Sequence, residues 1–364
     1  MRILIGLGHP AHFHLFHKLI LHYLERNISF KITINGKDIL EKLLIENNIS
    51  YEIIINKSNK GGLFFKFFEQ IRATNNFLKI VNRFKPTLMI GCINQIAHIG
   101  WLKSIPSLFF AEDDFKATLI QGLIVYPFVS KIVTPDCTNV GFFKFKQIPY
   151  AGYHELAYLH PSTFIPDKSK VIKLTQSEHP FFIIRFAQLK AYHDRKVKGI
   201  DIKLASDIIN RLSKKGQVFI TSEQPIHKKF EKFRINISYN DIHHIMAFAL
   251  LFIGDSQTMT AEAAILGTPT IRYNDFVGKL GYLEELENRY KLGYGYRPGN
   301  SKELLSKIDS LINEKYLKKS WNKKRDKMLS EKINVNSFII WFVENYPDSV
   351  KIMRENPDYQ YNFK

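Results

Sequence analysis

The chain is poor in cysteine, with only Cys92 and Cys137 among 364 residues. Two thiols build neither a disulfide framework nor a metal cluster, and reduced cysteines fit a cytosolic protein. No stretch reaches the roughly 18 uninterrupted apolar residues that span a bilayer. The longest candidate, from Thr118, is broken by polar residues and by Pro127. The opening MRILIGLGHP has too short an apolar run for a secretory leader, so it is expected to form a strand. Acids are scarce: 34 Asp+Glu against 52 Lys+Arg leave a net charge of +18. That balance suits anionic partners such as nucleic acid, an anionic membrane surface or phosphorylated substrates. The plainer reading is that codon bias, which yields a lysine-rich and asparagine-rich composition, accounts for part of it. No nucleic-acid recognition motif accompanies the charge, so nucleic acid is not an expected partner.

What is present is an ordinary globular composition, 45% hydrophobic. The length is comfortable for two domains of about 150 to 180 residues each. Residues 2–8, 29–35, 51–56 and 86–92 read as strands, with helix-like stretches between them. In the first of those stretches Phe13, Phe16, Ile20 and Leu24 recur at a helical period. Residues 107–114 and 131–136 look like later strands of the same sheet. This βαβ alternation is the pattern of a doubly wound parallel sheet. A proline-bearing stretch without clear period follows, and then a second alternation begins at FFIIRF, residues 181–186. The expected organisation is a first domain over 1–155, a linker over 156–170, a second domain over 171–335, and a final helix over 336–364 that returns to the first domain. Two such α/β, Rossmann-like domains bind ligands at the carboxyl ends of their strands, in a cleft.

The most patterned stretch is GDSQTMTAEAAILGTPTIRYND, residues 254–275. A strand delivers Asp255, Ser256, Gln257 and Thr258 to the start of an alanine-rich helix. The amides of a helix's first turn, with its positive dipole end, make an anion site. Hydroxyls of Ser256, Thr258 and Thr260 add donors, which suits a diphosphate. Glu262 lies where its carboxylate can accept bonds from ribose hydroxyls. Gly267 is expected to end the helix and Pro269 to restart a strand. The plainer reading is that Ser256 or Thr258 only caps the helix and that Glu262 only favours its dipole.

Other candidates sit at strand ends. Arg185 closes FFIIR, where a guanidinium fork suits diphosphate, with His193 and Asp194 in the loop beyond. Ser222 and Glu223 end the next strand. Arg272, Tyr273 and Asn274 end the strand after the elbow, where they can touch the donor sugar or base or form a polar loop. GHPAHFHLFH places His9 and His12 on the first strand-to-helix turn, as a general base or as donors to sugar or phosphate. Glu112, Asp113 and Asp114 end another strand of the first domain, where one serves as general base or caps the next helix. GLFFKFFEQIRATNNFLKIVNRFK interleaves phenylalanine with lysine and arginine. It reads as a core helix with a basic solvent face, an interfacial membrane helix or a nucleic-acid contact.

GDSQTMTAEAAILGTPTI resembles the Asp-Ser-x5-Glu-Ala-x3-Gly-x-Pro signature of nucleotide-sugar enzymes with the GT-B fold. Non-hydrolysing UDP-N-acetylglucosamine 2-epimerases and MurG-like glycosyltransferases carry a similar unit. Over most of residues 1–345 the chain is more similar to the domain-of-unknown-function family 354, through its Gly-His-Pro-Ala-His stretch, its IIRF…AYHD segment and the Asp-Ser elbow. It departs from the epimerases in carrying Gln257-Thr258 where they have a glycine pair, and it lacks their Gly-Thr-Arg-Pro-Glu loop. The resemblance implies a metal-independent glycosyltransferase. Its second domain would hold the nucleotide diphosphate at the elbow and the ribose at Glu262; its first would bind a polysaccharide or lipid-linked acceptor. An epimerase or hydrolase of the same fold is the alternative. The nucleotide sugar is then a substrate, and no cofactor is expected. The expected location is cytoplasmic, or peripheral at the inner face of the cytoplasmic membrane.

Overall fold

A computed structural model describes residues 1–36, 38–56, 63–176, 179–186, 199–222 and 225–364. The chain divides into two units, residues 1–160 with 333–364, and residues 161–332. The first begins with β1 (Arg2–Leu7), α1 (Pro10–Glu25), β2 (Ser29–Gly36), α2 (Asp38–Glu46), β3 (Glu52–Asn56), α3 (Leu63–Phe84) and β4 (Leu88–Gly91). It continues with α4 (Asn94–Lys103), β5 (Ser107–Phe110), α5 (Leu119–Val125), β6 (Lys131–Pro135), β7 (Gln147–Tyr150) and α6 (Leu156–Leu159).

These strands form one parallel sheet in the order β3-β2-β1-β4-β5-β6-β7. The order reverses direction at β1, which pairs with β2 on one side and β4 on the other. Ile3, Leu4, Ile5 and Leu7 of β1 are all fully buried, because helices cover both faces of such a sheet. Phe13, Phe16 and Ile20 face that core as their spacing predicts, but Leu24 is exposed and Tyr23 is buried in its stead. The cause is geometric: at 3.6 residues per turn the apolar stripe rotates around the helix. The described part of α3 buries Ala73, Phe77, Ile80 and Val81 in the core on the face of α4 and α5. β7 has no clear strand signature, since Pro149 interrupts it. It forms because it is an edge strand, where a missing amide donor costs no ladder bond.

The second unit runs α7 (Lys168–Thr175), β8 (Phe181–Arg185), α8 (Ile202–Leu212), β9 (Gln217–Thr221), α9 (Ile242–Phe248), β10 (Leu251–Gly254) and α10 (Gln257–Ile265). Then come β11 (Thr270–Tyr273), α11 (Gly281–Glu284), β12 (Gly293–Tyr296), α12 (Ser301–Ile312) and α13 (Leu317–Glu331). Its parallel sheet has the order β12-β11-β10-β8-β9. α8 shows how such elements form: Asp201 accepts the Leu204 amide at 2.7 Å as N-cap. Leu204, Ala205, Ile208, Ile209 and Leu212 then make one buried stripe. The chain closes with α14 (Val335–Glu344) and α15 (Asp348–Glu355), both in the first unit. α14 packs on α1 and α6, and Glu344 lies 2.8 Å from His22 Nε2. Leu156–Leu159, at the head of the stretch expected to join the domains, is a buried helical turn of the first unit. Among the described residues no helix is long and apolar enough to cross a membrane.

Candidate functional site

In the second unit β10 lies at the sheet's centre, and its carboxyl end carries the elbow. Gly254 pairs in register with Arg185, which in turn pairs with Thr221. A Cβ on Gly254 would stand 2.8 Å from the Arg185 carbonyl oxygen and 3.0 Å from the Arg185 Cβ. Glycine is therefore what lets the half-buried arginine run so close to the elbow. Ser256 is the N-cap of α10; its Oγ accepts the Met259 amide at 3.4 Å. The amides of Gln257 and Thr258, on the first turn, have no intrahelical acceptor. Residues 255–259 are half-buried, so the positive end of α10 is accessible there. Thr260 is not: it is buried and donates its hydroxyl to the Ser256 carbonyl at 2.6 Å. α10 ends in a Schellman motif, with Gly267 at φ +79°, its amide on Ala264 O and the Thr268 amide on Ala263 O.

The strand-end residues after the elbow turn inward. Asn274 donates from Nδ2 to the Asp255 carbonyl at 3.0 Å and accepts the Phe276 amide at 3.0 Å. Tyr273 accepts the Gly299 amide at 3.1 Å. Arg272 is fully buried and forks onto Glu287, with Nε–Oε1 at 2.8 Å and a second bond at 3.1 Å. Burial raises the Glu287 carboxyl pKa, while Arg272 opposes that rise. These side chains fasten the loops that carry the elbow instead of facing outward, because buried polar groups must find protein partners. Ser222 is half-buried after β9, whereas Glu223, His193 and Asp194 lie outside the described residues.

Glu262 is buried on the middle of α10, with Oε1 3.0 Å from His243 Nε2 on α9. The neighbouring His244 accepts the Asp167 amide at 3.0 Å through Nδ1. Two consecutive histidines thus tie α9 to α10 and to the start of α7. Neither was legible as a site residue, because their partners are remote in sequence.

In the first unit His9 is the N-cap of α1, and its Nδ1 accepts the Ala11 amide at 3.2 Å. His12 Nδ1 accepts the Gly8 amide at 3.1 Å. An Nδ1 acceptor puts the neutral ring's proton on Nε2, so both rings are arranged as Nε2–H donors. At the end of β5, Asp114 accepts the Asn139 amide at 2.7 Å and is the local fastener of the acidic trio. Burial, and next to it the charge of Asp114, raise the Asp113 carboxyl pKa. Glu112 accepts the His154 backbone amide at 3.0 Å. The His154 ring stands 3.7 Å from the same carboxylate, too far for a hydrogen bond. Burial lowers the His154 pKa to about 3, so the pair is not an ion pair at neutral pH. Tyr150 and Cys92 close the cluster; burial first and Glu112 second raise the pKa of both. His154 falls in the proline-bearing stretch without clear period, and only the fold brings it to Glu112.

A family model described as a protein of unknown function, DUF354, matches residues 1–326. The chain belongs to the DUF354 family. No curated protein matches it. Among solved structures, UDP-GlcNAc 2-epimerase from Neisseria meningitidis bound to UDP-GlcNAc shares 14% identity at a TM-score of 0.65, over 95% of this chain and 100% of that one. S. aureus MnaA, solved with UDP, shares 10% identity at a TM-score of 0.69, over 96% and 98%. The spinosyn forosaminyltransferase SpnP shares 11% identity at a TM-score of 0.63, over 96% and 99%. This DUF354 protein therefore has the GT-B fold of two Rossmann-like domains, shared with both epimerases and glycosyltransferases.

Proposed function

We propose that this protein is a glycosyltransferase that takes a sugar from a nucleoside diphosphate sugar to an acceptor hydroxyl of a polysaccharide or glycolipid. The observation that carries the reading is the β10–α10 elbow: a capped helix start with accessible first-turn amides, and Arg185 held against it by Gly254. Similar folds solved with UDP or UDP-GlcNAc support the choice of ligand.

In this reading the amides of Gln257 and Thr258, the Thr258 hydroxyl and Arg185 hold the diphosphate. Asp255 and Ser256 shape the turn, and Tyr273 and Asn274 keep it in place. A carboxylate offers about four lone-pair sites, so Glu262 accepts ribose hydroxyls while His243 fixes its direction. Thr260 serves the helix itself, and Ser222 borders the nucleotide. The first unit receives the acceptor, with His9 and His12 donating from Nε2–H. The acceptor oxygen bonds to the anomeric carbon as the bond from that carbon to the diphosphate oxygen breaks. The hydroxyl proton passes to Asp113, whose raised pKa suits a general base, with Glu112 beside it. Charge developing on the diphosphate is met by fixed amide dipoles and a guanidinium.

A second reading, sugar-nucleotide 2-epimerase or hydrolase, has its own support in the carboxyls of Glu112, Asp113 and Asp114 after β5, with Glu112 held by the His154 backbone amide. Thermal unfolding with UDP, GDP, dTDP and CMP tests the shared premise. A nucleoside diphosphate raises the midpoint of the parent and not of Arg185→Ala. If none does so, the elbow is not a nucleotide site. Incubation with UDP-GlcNAc and no acceptor then separates the readings: epimerisation under those conditions rules out the transferase.

A further inference from the structure

The first unit carries an apolar surface that the described residues leave exposed. Ile120 is 77% exposed on α5, with Leu123 exposed beside it. Trp101 and Leu102 are exposed at the end of α4, and Phe142 and Phe145 on the 3-10 turn Gly141–Lys146. These three elements adjoin. His98 of α4 lies 2.8 Å from the Ile124 carbonyl of α5, and the Trp101 ring centre is 5.5 Å from that of Phe128 just beyond α5. Phe115 packs against Gly122 of α5, and its ring centre is 5.4 Å from that of Phe142. Lys146 donates to the carbonyls of Tyr126, Pro127 and Val129 at 3.2, 2.6 and 2.8 Å, locking the turn to the end of α5.

The surroundings are basic. Lys103, Lys116, Lys144 and Arg354 are exposed around the patch, and Arg354 donates to the Phe145 carbonyl at 2.7 Å. No acidic residue occurs from Phe115 to Pro135 or from Asn139 to Tyr153. The pKa of Lys131 is lowered by burial and then by the charges of Arg354 and Lys146, so cations crowd here. Of the readings open for α3, the core helix fits its described part, since Phe77, Ile80 and Val81 are buried in the core.

We propose that the face formed by α4, α5 and the 3-10 turn docks on an anionic lipid bilayer, with Ile120, Leu123, Trp101 and Phe142 entering the interface and the surrounding lysines meeting lipid headgroups. Contiguous exposed apolar side chains of this kind mark an interaction surface. Aliphatic and aromatic groups ringed by lysine and arginine match the interface of a charged membrane. A second copy of the chain fits worse, because a twofold contact would set the same cations against each other. The inference does not rest on the glycosyltransferase reading, since the patch is independent of the elbow.

The test is flotation of the full chain with vesicles of phosphatidylcholine alone, and with phosphatidylglycerol added, at low and high salt. The parent floats only with the anionic vesicles, and salt weakens it. Ile120→Glu with Leu123→Glu and Phe142→Glu loses binding, by roughly tenfold or more per side chain withdrawn. Lys103→Gln with Lys116→Gln and Lys144→Gln loses roughly fivefold per charge. Those lysines are exposed, so this variant keeps the test decisive if the apolar one unfolds. The proposal is overturned if the parent does not bind anionic vesicles, or if both variants bind as the parent does. It is equally overturned if the parent is a dimer that the apolar variant dissolves while neither binds lipid.

Discussion

Glu262 is given two duties, and one pair of substitutions separates them. Its carboxylate is 5% exposed and 3.0 Å from His243 Nε2, which is 8% exposed. Glu262→Ala leaves a buried donor without an acceptor, which costs about 1–3 kcal/mol. The lost side-chain packing between α9 and α10 adds about 1 kcal/mol. Glu262→Gln keeps an oxygen acceptor of the same shape and is expected to cost under about 1 kcal/mol. With a urea slope near 2 kcal/mol/M, the alanine variant should unfold about 1–2 M earlier and the glutamine variant within about 0.5 M of the parent. The two units need not unfold together, so the probe must follow the second. Trp321 is the single tryptophan of residues 161–332, buried and bonded to the Leu292 carbonyl at 2.7 Å. In a Trp101→Phe/Trp341→Phe background, fluorescence reports that unit alone. The ribose duty has a different readout: Glu262→Gln swaps one acceptor oxygen for an amide donor and should weaken UDP binding by about tenfold, the scale of one charged hydrogen bond. An unmoved urea midpoint for Glu262→Ala refutes the buried pair. Unchanged UDP affinity in Glu262→Gln refutes the ribose role while leaving the pair intact.

Two further expectations follow. Gly254→Ala drives a methyl group against the Arg185 carbonyl oxygen at 2.8 Å; it should cost about 1–3 kcal/mol of stability and abolish the thermal shift with UDP, so a variant as stable and as responsive as the parent contradicts the close approach. Burial lowers the pKa of His17 to about 4 and of His154 to about 3. Both rings therefore bind a proton more readily unfolded than folded. Their contribution is whole above the unfolded value near 6.5 and falls as the pH drops toward the folded values, by up to about 1.4 kcal/mol per pH unit for each. Urea midpoints falling between pH 7 and about 5, with a shallower fall in His154→Gln, check the sign.

Much of the architecture was legible because it is local. The 3.6-residue stripe of α8, the unbroken apolar run of β1 and the Gly267–Pro269 stop after α10 all follow from side-chain period and backbone preference. β7 and β12 were not legible, since Pro149 in one and Gly293 and Gly295 in the other mask the strand signal. Both pair at sheet edges, where neighbours supply what propensity lacks. Among site residues, Ser256 as cap and Arg185 at a strand end were visible in the sequence. His243 and His154 were not, because their significance lies in partners brought near only by packing.

The sequence by itself determined two wound α/β domains, the elbow and the family, through patterns read within a few tens of residues. The tertiary structure decided which side of each polar residue is used. Thr260, Tyr273 and Asn274 have the chemistry of ligand contacts, yet burial commits them to the protein's own backbone. It also decided which apolar residues stay uncovered: a helix such as α5 looks like core in one dimension, and only the finite number of neighbours around it leaves Ile120 in water.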